Sequence, residues 1–162
     1  MRLKSVKLTN FRGYRDAVTV PVDPDMTGIV GRNDYGKSTI LEALAIFFEA
    51  EGVKPDKSDM NCFSARDGAD QFEIACVFDD LPETLVLDEN VQTSLAQELL
   101  LNSEGSLEIV KSFKATTGKL ERTSIRCQHP VDKALSVLLS LKMAEAPRVS
   151  RRPVGFSQTV AA

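Results

Sequence analysis

The stretch "GRNDYGKST", residues 31 to 39, constrains this chain more than any other. It follows the short apolar run "MTGIV" and precedes a segment whose apolar residues recur every three or four positions. Glycine, four further residues and then Gly-Lys-Ser is the spacing of a loop that binds phosphate between a strand and a helix. The competing interpretation is a glycine-rich turn that holds no ligand.

A bound triphosphate explains each residue type in this stretch. Gly31 and Gly36 leave the backbone free to approach an anion, and the amides from Asn33 to Thr39 then point inward. The start of the following helix adds about half a positive charge. Lys37 reaches the β- and γ-phosphates, Ser38 offers a hydroxyl to Mg²⁺ and Thr39 donates on the α-phosphate side. The candidate nucleotide-binding residues are Gly31, Asn33, Asp34, Tyr35, Gly36, Lys37, Ser38 and Thr39.

Hydrophobic periodicity predicts an α/β fold. Strands are expected in "LKSVKLTNF", "AVTVPV", "MTGIV" and "QFEIACVFDD", and "SLEIVKSFKA" and "KLERTSIRCQ" are expected to form a hairpin with Gly118 in its turn. Pro21 should end the second strand or place it at an edge. Helices are predicted from Lys37 to about Glu49, in "VQTSLAQELLL" and after Pro130. The stretch "LPETLVLDEN" is ambiguous.

Charge is unevenly distributed although the net charge is only −3. Residues 1 to 15 contain five Lys and Arg and no acid, whereas residues 67 to 108 contain eleven acids and no Lys or Arg. This division predicts either one basic and one acidic face or a solvated surface with uneven charge.

Three widely separated cysteines, Cys62, Cys76 and Cys127, have no zinc or redox spacing. They are interpreted as reduced thiols, two of them in the core, of a cytoplasmic protein. No apolar run is long enough for a membrane helix, and no signal peptide is recognisable.

The residues around the loop resemble a known family. "LKSVKLTNFRGYRD", a following strand and "GRNDYGKSTILEALAIFF" resemble the amino-terminal part of ABC-type ATPases of the SMC, RecF and OLD (overcoming lysogenization defect) kind. "NDYGKST" is most similar to the OLD branch, whose members are sometimes described as AAA-type ATP-binding proteins. The resemblance covers about residues 1 to 143 and is strongest over 1 to 49.

The resemblance implies roles for four further side chains. Arg12 matches an arginine that reaches the nucleotide phosphates, although it also fits a surface arginine. Asn33 matches an asparagine on the γ-phosphate side. Tyr35 departs from the usual small residue, and either covers the phosphates or points to solvent. Gln128 is a candidate for the glutamine that joins Mg²⁺ to the attacking water, so the candidate metal ligands are Ser38 and Gln128.

Parts that this family needs for hydrolysis are not recognisable. No "SGG" signature occurs, and two stretches only imitate a Walker B strand, one ending in Asp79 and Asp80 and the other in Asp88 and Glu89. The single histidine, His129, is a poor match for the switch histidine and is interpreted as a loop residue. Catalytic residues therefore stay unassigned.

The resulting interpretation is an incomplete P-loop ATPase lobe of the ABC/SMC type, with a mixed β-sheet around the P-loop helix. Residues 1 to 143 form the lobe and 144 to 162 a disordered tail. The lobe binds Mg-ATP, and turnover requires a C-terminal lobe and a second copy of the ATPase head. DNA is a possible partner, in repair or phage defence. The alternatives are a self-contained P-loop NTPase or kinase that uses Asp79 or Asp88 for Mg²⁺, and a non-catalytic remnant.

Overall fold

A computed structural model describes residues 1–32, 36–88, 91–98, 100–116 and 119–127 of the chain. These residues belong to the unit Met1–Pro130. The predicted turn at Gly118, the helix after Pro130 and the tail from 144 to 162 lie outside the described residues, as does the predicted boundary at 143.

An antiparallel sheet organises the described part of the chain. The strands, in chain order, are β1 (Arg2–Thr9), β2 (Val18–Pro21), β3 (Gln71–Asp79), β4 (Leu85–Asp88), β5 (Val91–Thr93), β6 (Leu107–Thr116) and β7 (Lys119–Cys127). Five of them form one sheet in the order β2-β1-β3-β6-β7, in which every pairing is antiparallel. Strands β4 and β5 form a separate two-stranded ribbon. As predicted, β2 ends at Pro21 and lies at an edge, where a missing amide costs no ladder hydrogen bond.

One face of this sheet packs against the helix α1 (Lys37–Phe47). The buried residues of α1 are Ile40, Ala43, Ile46 and Phe47, at the three- and four-residue spacing of one helix face. Between them and the sheet lies an aromatic core in which the Phe72 ring stacks on Phe113 at 4.9 Å between centroids. Shorter helical segments follow in Lys57–Asp59, a 3-10 turn, and α2 (Cys62–Arg66).

Lys111 fixes the end of α1 from the core side of the sheet. It lies on β6 opposite Ile74, is only 8% exposed, and its ammonium lies 5.4 Å from the centre of the Phe47 ring. The ammonium forms an ion pair with Glu49, just beyond the helix. A cation thus meets the negative end of the helix, where the macrodipole favours it.

The predicted strand "MTGIV" is wrong. Residues 26 to 32 have no regular structure, and Met26 and Val30 are 84% and 92% exposed. Upstream, the Asp23 carboxylate accepts hydrogen bonds from the amides of Asp25 and Met26, which confirms the turn at "DPD". An apolar run becomes a strand only where a neighbour can accept its ladder bonds, and no described strand pairs with this one.

The predicted helix in "VQTSLAQELLL" is also wrong. Its first residues form β5, and residues 95 to 98 form a turn. The Thr93 hydroxyl donates to the Glu98 carboxylate at 2.7 Å, and Leu95 is buried in the core. Pairing with β4 and burial of one leucine therefore outweigh the local helical pattern.

The basic amino-terminal segment and the acidic segment do not form two separate faces. They pair with each other across the sheet and its loops, through Arg2–Asp79, Lys4–Glu104, Lys7–Glu108 and Arg15–Asp67. The pKa of the Asp79 carboxyl is held below its ordinary value, mainly by the hydrogen bond from Arg2. The charge division in the sequence is thus a set of ion pairs between neighbouring elements.

One cysteine rather than two is in the core. Cys76 is buried on β3, whereas Cys62 and Cys127 are exposed. Burial raises the pKa of the Cys76 thiol to about 12. Cys127 is exposed because β7 is the outermost strand of the sheet. Among the described residues, no helix is long and apolar enough to cross a membrane.

Candidate functional site

The predicted loop enters α1 through a left-handed glycine. Gly36 has φ 79° and ψ 13° and occupies the N-cap position, so the conformation favours glycine. No side chain caps the helix, and its first turn contains no acidic residue. The first amides of α1 are therefore available to an external anion, and the helix dipole favours one there.

Tyr14 shapes the loop, and the sequence analysis did not identify it. Its hydroxyl donates to the Gly36 carbonyl at 3.2 Å. A β-carbon added to Gly36 would lie 3.1 Å from the same hydroxyl oxygen, so a side chain here would also push the Tyr14 hydroxyl away. Tyr14 follows Arg12 in "NFRGYR", and its contact spans 22 residues, which no local pattern reveals.

Lys37 folds back across the loop. Its ammonium donates to the Gly31 carbonyl at 2.8 Å and also to the Arg32 carbonyl. Ser38 is exposed and Thr39 is partly exposed on the first turn of α1, so both hydroxyls are accessible. The remaining loop residues, Asn33, Asp34 and Tyr35, lie outside the described residues.

Arg12 is an anchored residue rather than a free surface arginine. Its backbone is left-handed, with φ 47°, and its amide donates to the Asp59 carbonyl at 2.7 Å. Its Nε donates to the Asp59 carboxylate at 2.8 Å, and a terminal guanidinium nitrogen pairs with Glu42 of α1. The guanidinium therefore contacts α1 through the Glu42 carboxylate.

Asp59 is a second residue that the sequence analysis missed. Its side chain is 4% exposed and accepts hydrogen bonds from Arg12 and from the Asp56 amide, the latter at 2.8 Å. The Asn61 side chain holds the Arg12 carbonyl and caps α2. These contacts offset the cost of the left-handed backbone at Arg12.

Asp79 lies at the wrong end of the sheet to serve this loop. It pairs with Arg2 at the beginning of β1, whereas the other end of β1 leads to Tyr14 and the loop. Eight residues of β1 separate the two ends by on the order of 25 Å. At this distance, Asp79 cannot bind the same Mg²⁺ ion as Ser38 at the loop.

Asp80, Asp88 and Glu89 are the other acidic candidates. Asp80 is exposed and lies beside the amino terminus. The Asp88 side chain and the residues Glu89, Gln128 and His129 lie outside what the structure describes. In the described ranges, no three His, Cys, Asp or Glu side chains are grouped to hold a metal ion. Binding of Mg²⁺ through Ser38 therefore stays a prediction.

Comparisons with known proteins identify the family. Residues 1–150 match the AAA ATPase domain family. The chain is 30% identical over 120 residues to the chromosome partition protein Smc of Mycoplasma genitalium, covering 70% of this chain and 12% of that protein. It is 31% identical over 91 residues to Smc of Xanthomonas oryzae pv. oryzae, covering 52% and 8%. It is 46% identical over 46 residues to the DNA replication and repair protein RecF of Chlamydia caviae, covering 28% and 12%.

The chain thus spans about a tenth of the length of these curated relatives. A solved structure reported under ATP-driven dimerization and DNA-stimulated activation of SMC ATPases superimposes with a TM-score of 0.52. That match has 16% identity and covers 86% of this chain and 79% of the other. The predicted P-loop NTPase fold class and the resemblance to SMC and RecF proteins are confirmed, with a described sheet that is antiparallel rather than mixed. The assignment to the OLD branch stays a prediction. The chain belongs to the AAA ATPase domain family and has the P-loop NTPase fold of an SMC-like ATPase lobe.

Proposed function

We propose that this chain is the ATP-binding lobe of an SMC-like ATPase and binds Mg-ATP through residues 31 to 39. The observation that carries the proposal is the position of Lys37, whose ammonium lies across the loop on the Gly31 and Arg32 carbonyls. A cation that bridges carbonyls at the start of an uncapped helix can exchange them for phosphate oxygens.

The described residues fit a nucleotide phosphate. The first amides of α1, which no side chain caps, and the Lys37 ammonium supply hydrogen-bond donors at the end of the loop. Ser38 provides an exposed hydroxyl, a hard oxygen ligand of the kind that Mg²⁺ prefers. In this proposal Asn33, Asp34, Tyr35 and Thr39 contribute the remaining loop contacts, Gln128 joins Ser38 at the metal, and Arg12 adds a guanidinium.

We further propose that turnover needs a C-terminal lobe and a second copy of the ATPase head. Apolar surface near the loop supports this, because Val30 before the loop and Leu41 on α1 are exposed. Residues 26 to 32 have the apolar pattern of a strand but pair with no strand in the described part of the chain, so a strand of another lobe could pair there. The chain alone then binds ATP without hydrolysing it.

DNA is the proposed partner of the assembled ATPase, in keeping with the similarity to a DNA replication and repair protein and to chromosome partition proteins. The cations of β1 are engaged by carboxylates, so we do not assign the DNA contact to that strand. The free cysteines agree with the proposed cytoplasmic location.

Calorimetric titration of the full chain with Mg-ATP tests the proposal. Lys37→Ala should weaken binding by about tenfold or more, because a charge-assisted contact to phosphate is lost. Lys54→Ala, which removes an exposed lysine elsewhere, is the matched control and should bind as the wild type does. Failure of the wild type to bind, or equal binding by Lys37→Ala, would overturn the proposal. Steady phosphate release that Asp88→Asn abolishes would favour the self-contained enzyme instead.

A further inference from the structure

The two carboxylates that hold Arg12 differ in how firmly they are fixed. The Asp59 side chain is 4% exposed and is itself held by the Asp56 amide, whereas the Glu42 side chain is 45% exposed. Asp59 also holds the Arg12 amide through its own carbonyl. The Asp59 contact is therefore a permanent anchor, and the Glu42 contact is the one that solvent and other anions can reach.

Glu42 places the guanidinium beside the proposed phosphate site. It follows Ser38 by four residues on α1, so the two side chains lie on the same helix face one turn apart. One turn corresponds to a rise of about 5.4 Å. Tyr14, two residues after Arg12, contacts Gly36 at the start of the same helix. A change in the side-chain torsion angles of Arg12 can thus move a terminal guanidinium nitrogen from Glu42 towards the loop.

We propose that Glu42 competes with the nucleotide for Arg12: its carboxylate pairs with the guanidinium, and a nucleotide phosphate displaces it. This inference rests on the proposed binding of Mg-ATP at the loop. A phosphate with more than one negative charge attracts a guanidinium more strongly than a single carboxylate does. Because the Glu42 pair is partly exposed, its cost to nucleotide affinity is modest, about three- to tenfold.

A double-mutant cycle on the full chain tests the competition by Mg-ATP titration. Glu42→Gln keeps the side-chain shape and removes the charge, so it should tighten binding about three- to tenfold. Arg12→Ala should weaken binding. In the Arg12→Ala background, Glu42→Gln should no longer tighten binding, because its effect passes through the arginine. Glu51→Gln, an exposed residue beyond the end of α1, controls for the loss of one negative charge.

Each outcome decides between the possibilities. If Glu42→Gln binds no more tightly than a wild type that does bind, the competition is refuted and the proposed function stands. If the tightening persists without Arg12, or Glu51→Gln reproduces it, the effect is general electrostatics and the inference is refuted. If neither the wild type nor Glu42→Gln binds, both the proposed function and the inference fail. Binding by Glu42→Gln alone would also overturn the proposed function, and the inference with it, because both require that the wild type binds.

Discussion

Strand β1 and the segment from residue 26 to 32 are both short stretches near the amino terminus that the sequence predicts to be strands, yet only β1 forms one. β1 lies between β2 and β3, and its Val6 and Leu8 are fully buried. The later segment, which leads directly into the loop, has no regular structure and exposes Met26 and Val30. The difference shows that an apolar pattern becomes a strand only where a neighbour supplies hydrogen bonds and a face to cover.

The largest expected effect is the loss of stability when a buried side chain of the sheet is removed, compared with an exposed side chain before the loop. Phe72→Ala should destabilise the chain by about 3–5 kcal/mol, because it removes a buried ring between Phe11 and Phe113. Val30→Ala should change the free energy of unfolding by less than about 0.5 kcal/mol, because that side chain meets little of the described chain. Denaturant unfolding monitored by circular dichroism measures both. A comparable loss from Val30→Ala would show that the segment is packed in solution.

A smaller effect is expected where the irregular segment joins the helix. Gly36→Ala should cost about 1–2 kcal/mol for the left-handed backbone and should also weaken Mg-ATP binding, since the new methyl group meets Tyr14. Gly28→Ala is the matched control, because a β-carbon there has no described neighbour within 4 Å. Unfolding and nucleotide titration of both variants give the comparison. Equal stability and binding in the two variants would contradict the conformation described for Gly36.

The smallest effect concerns the acid stability of the sheet. The hydrogen bond from Arg2 lowers the pKa of Asp79 below its ordinary value of 3.8, so the unfolded chain binds more protons there as the pH falls. The stability from this pair is present above pH 3.8 and is lost as the pH falls through the folded-state pKa. Asp79→Asn should therefore make the loss of thermal stability between about pH 5 and pH 2 slightly less steep.

Melting temperatures across that pH range measure the effect. Asp16→Asn, which changes an exposed aspartate outside the sheet, serves as the control and should leave the slope unchanged. An identical slope for Asp79→Asn and the wild type would show that the Arg2 pair contributes nothing to acid stability.

Local patterns predicted the elements whose causes are local. The alternation in β1 and β3, the hairpin strands β6 and β7, the edge position of Pro21 and the helix after Lys37 were all readable from the sequence. The motif at residues 31 to 39 also led to the correct family, because its spacing is dictated by phosphate chemistry.

Features that depend on distant partners were not readable. Three of them are Tyr14, Glu42 and Asp59. Each contacts a residue that is 22 or more positions away in the sequence. The strand predicted before the loop and the helix predicted at residues 91 to 101 were wrong because strand formation depends on which neighbouring strand is present to pair. No periodicity within a single segment contains that information.

The contacts at the two ends of α1 have a mechanical consequence. Tyr14 holds the carbonyl at its entrance, and Lys111 holds the carboxylate just beyond its exit. Helix α1 cannot move along its axis without breaking one of these two contacts, and its buried face packs against the aromatic core. The helix is therefore a fixed reference for the residues that pack against it.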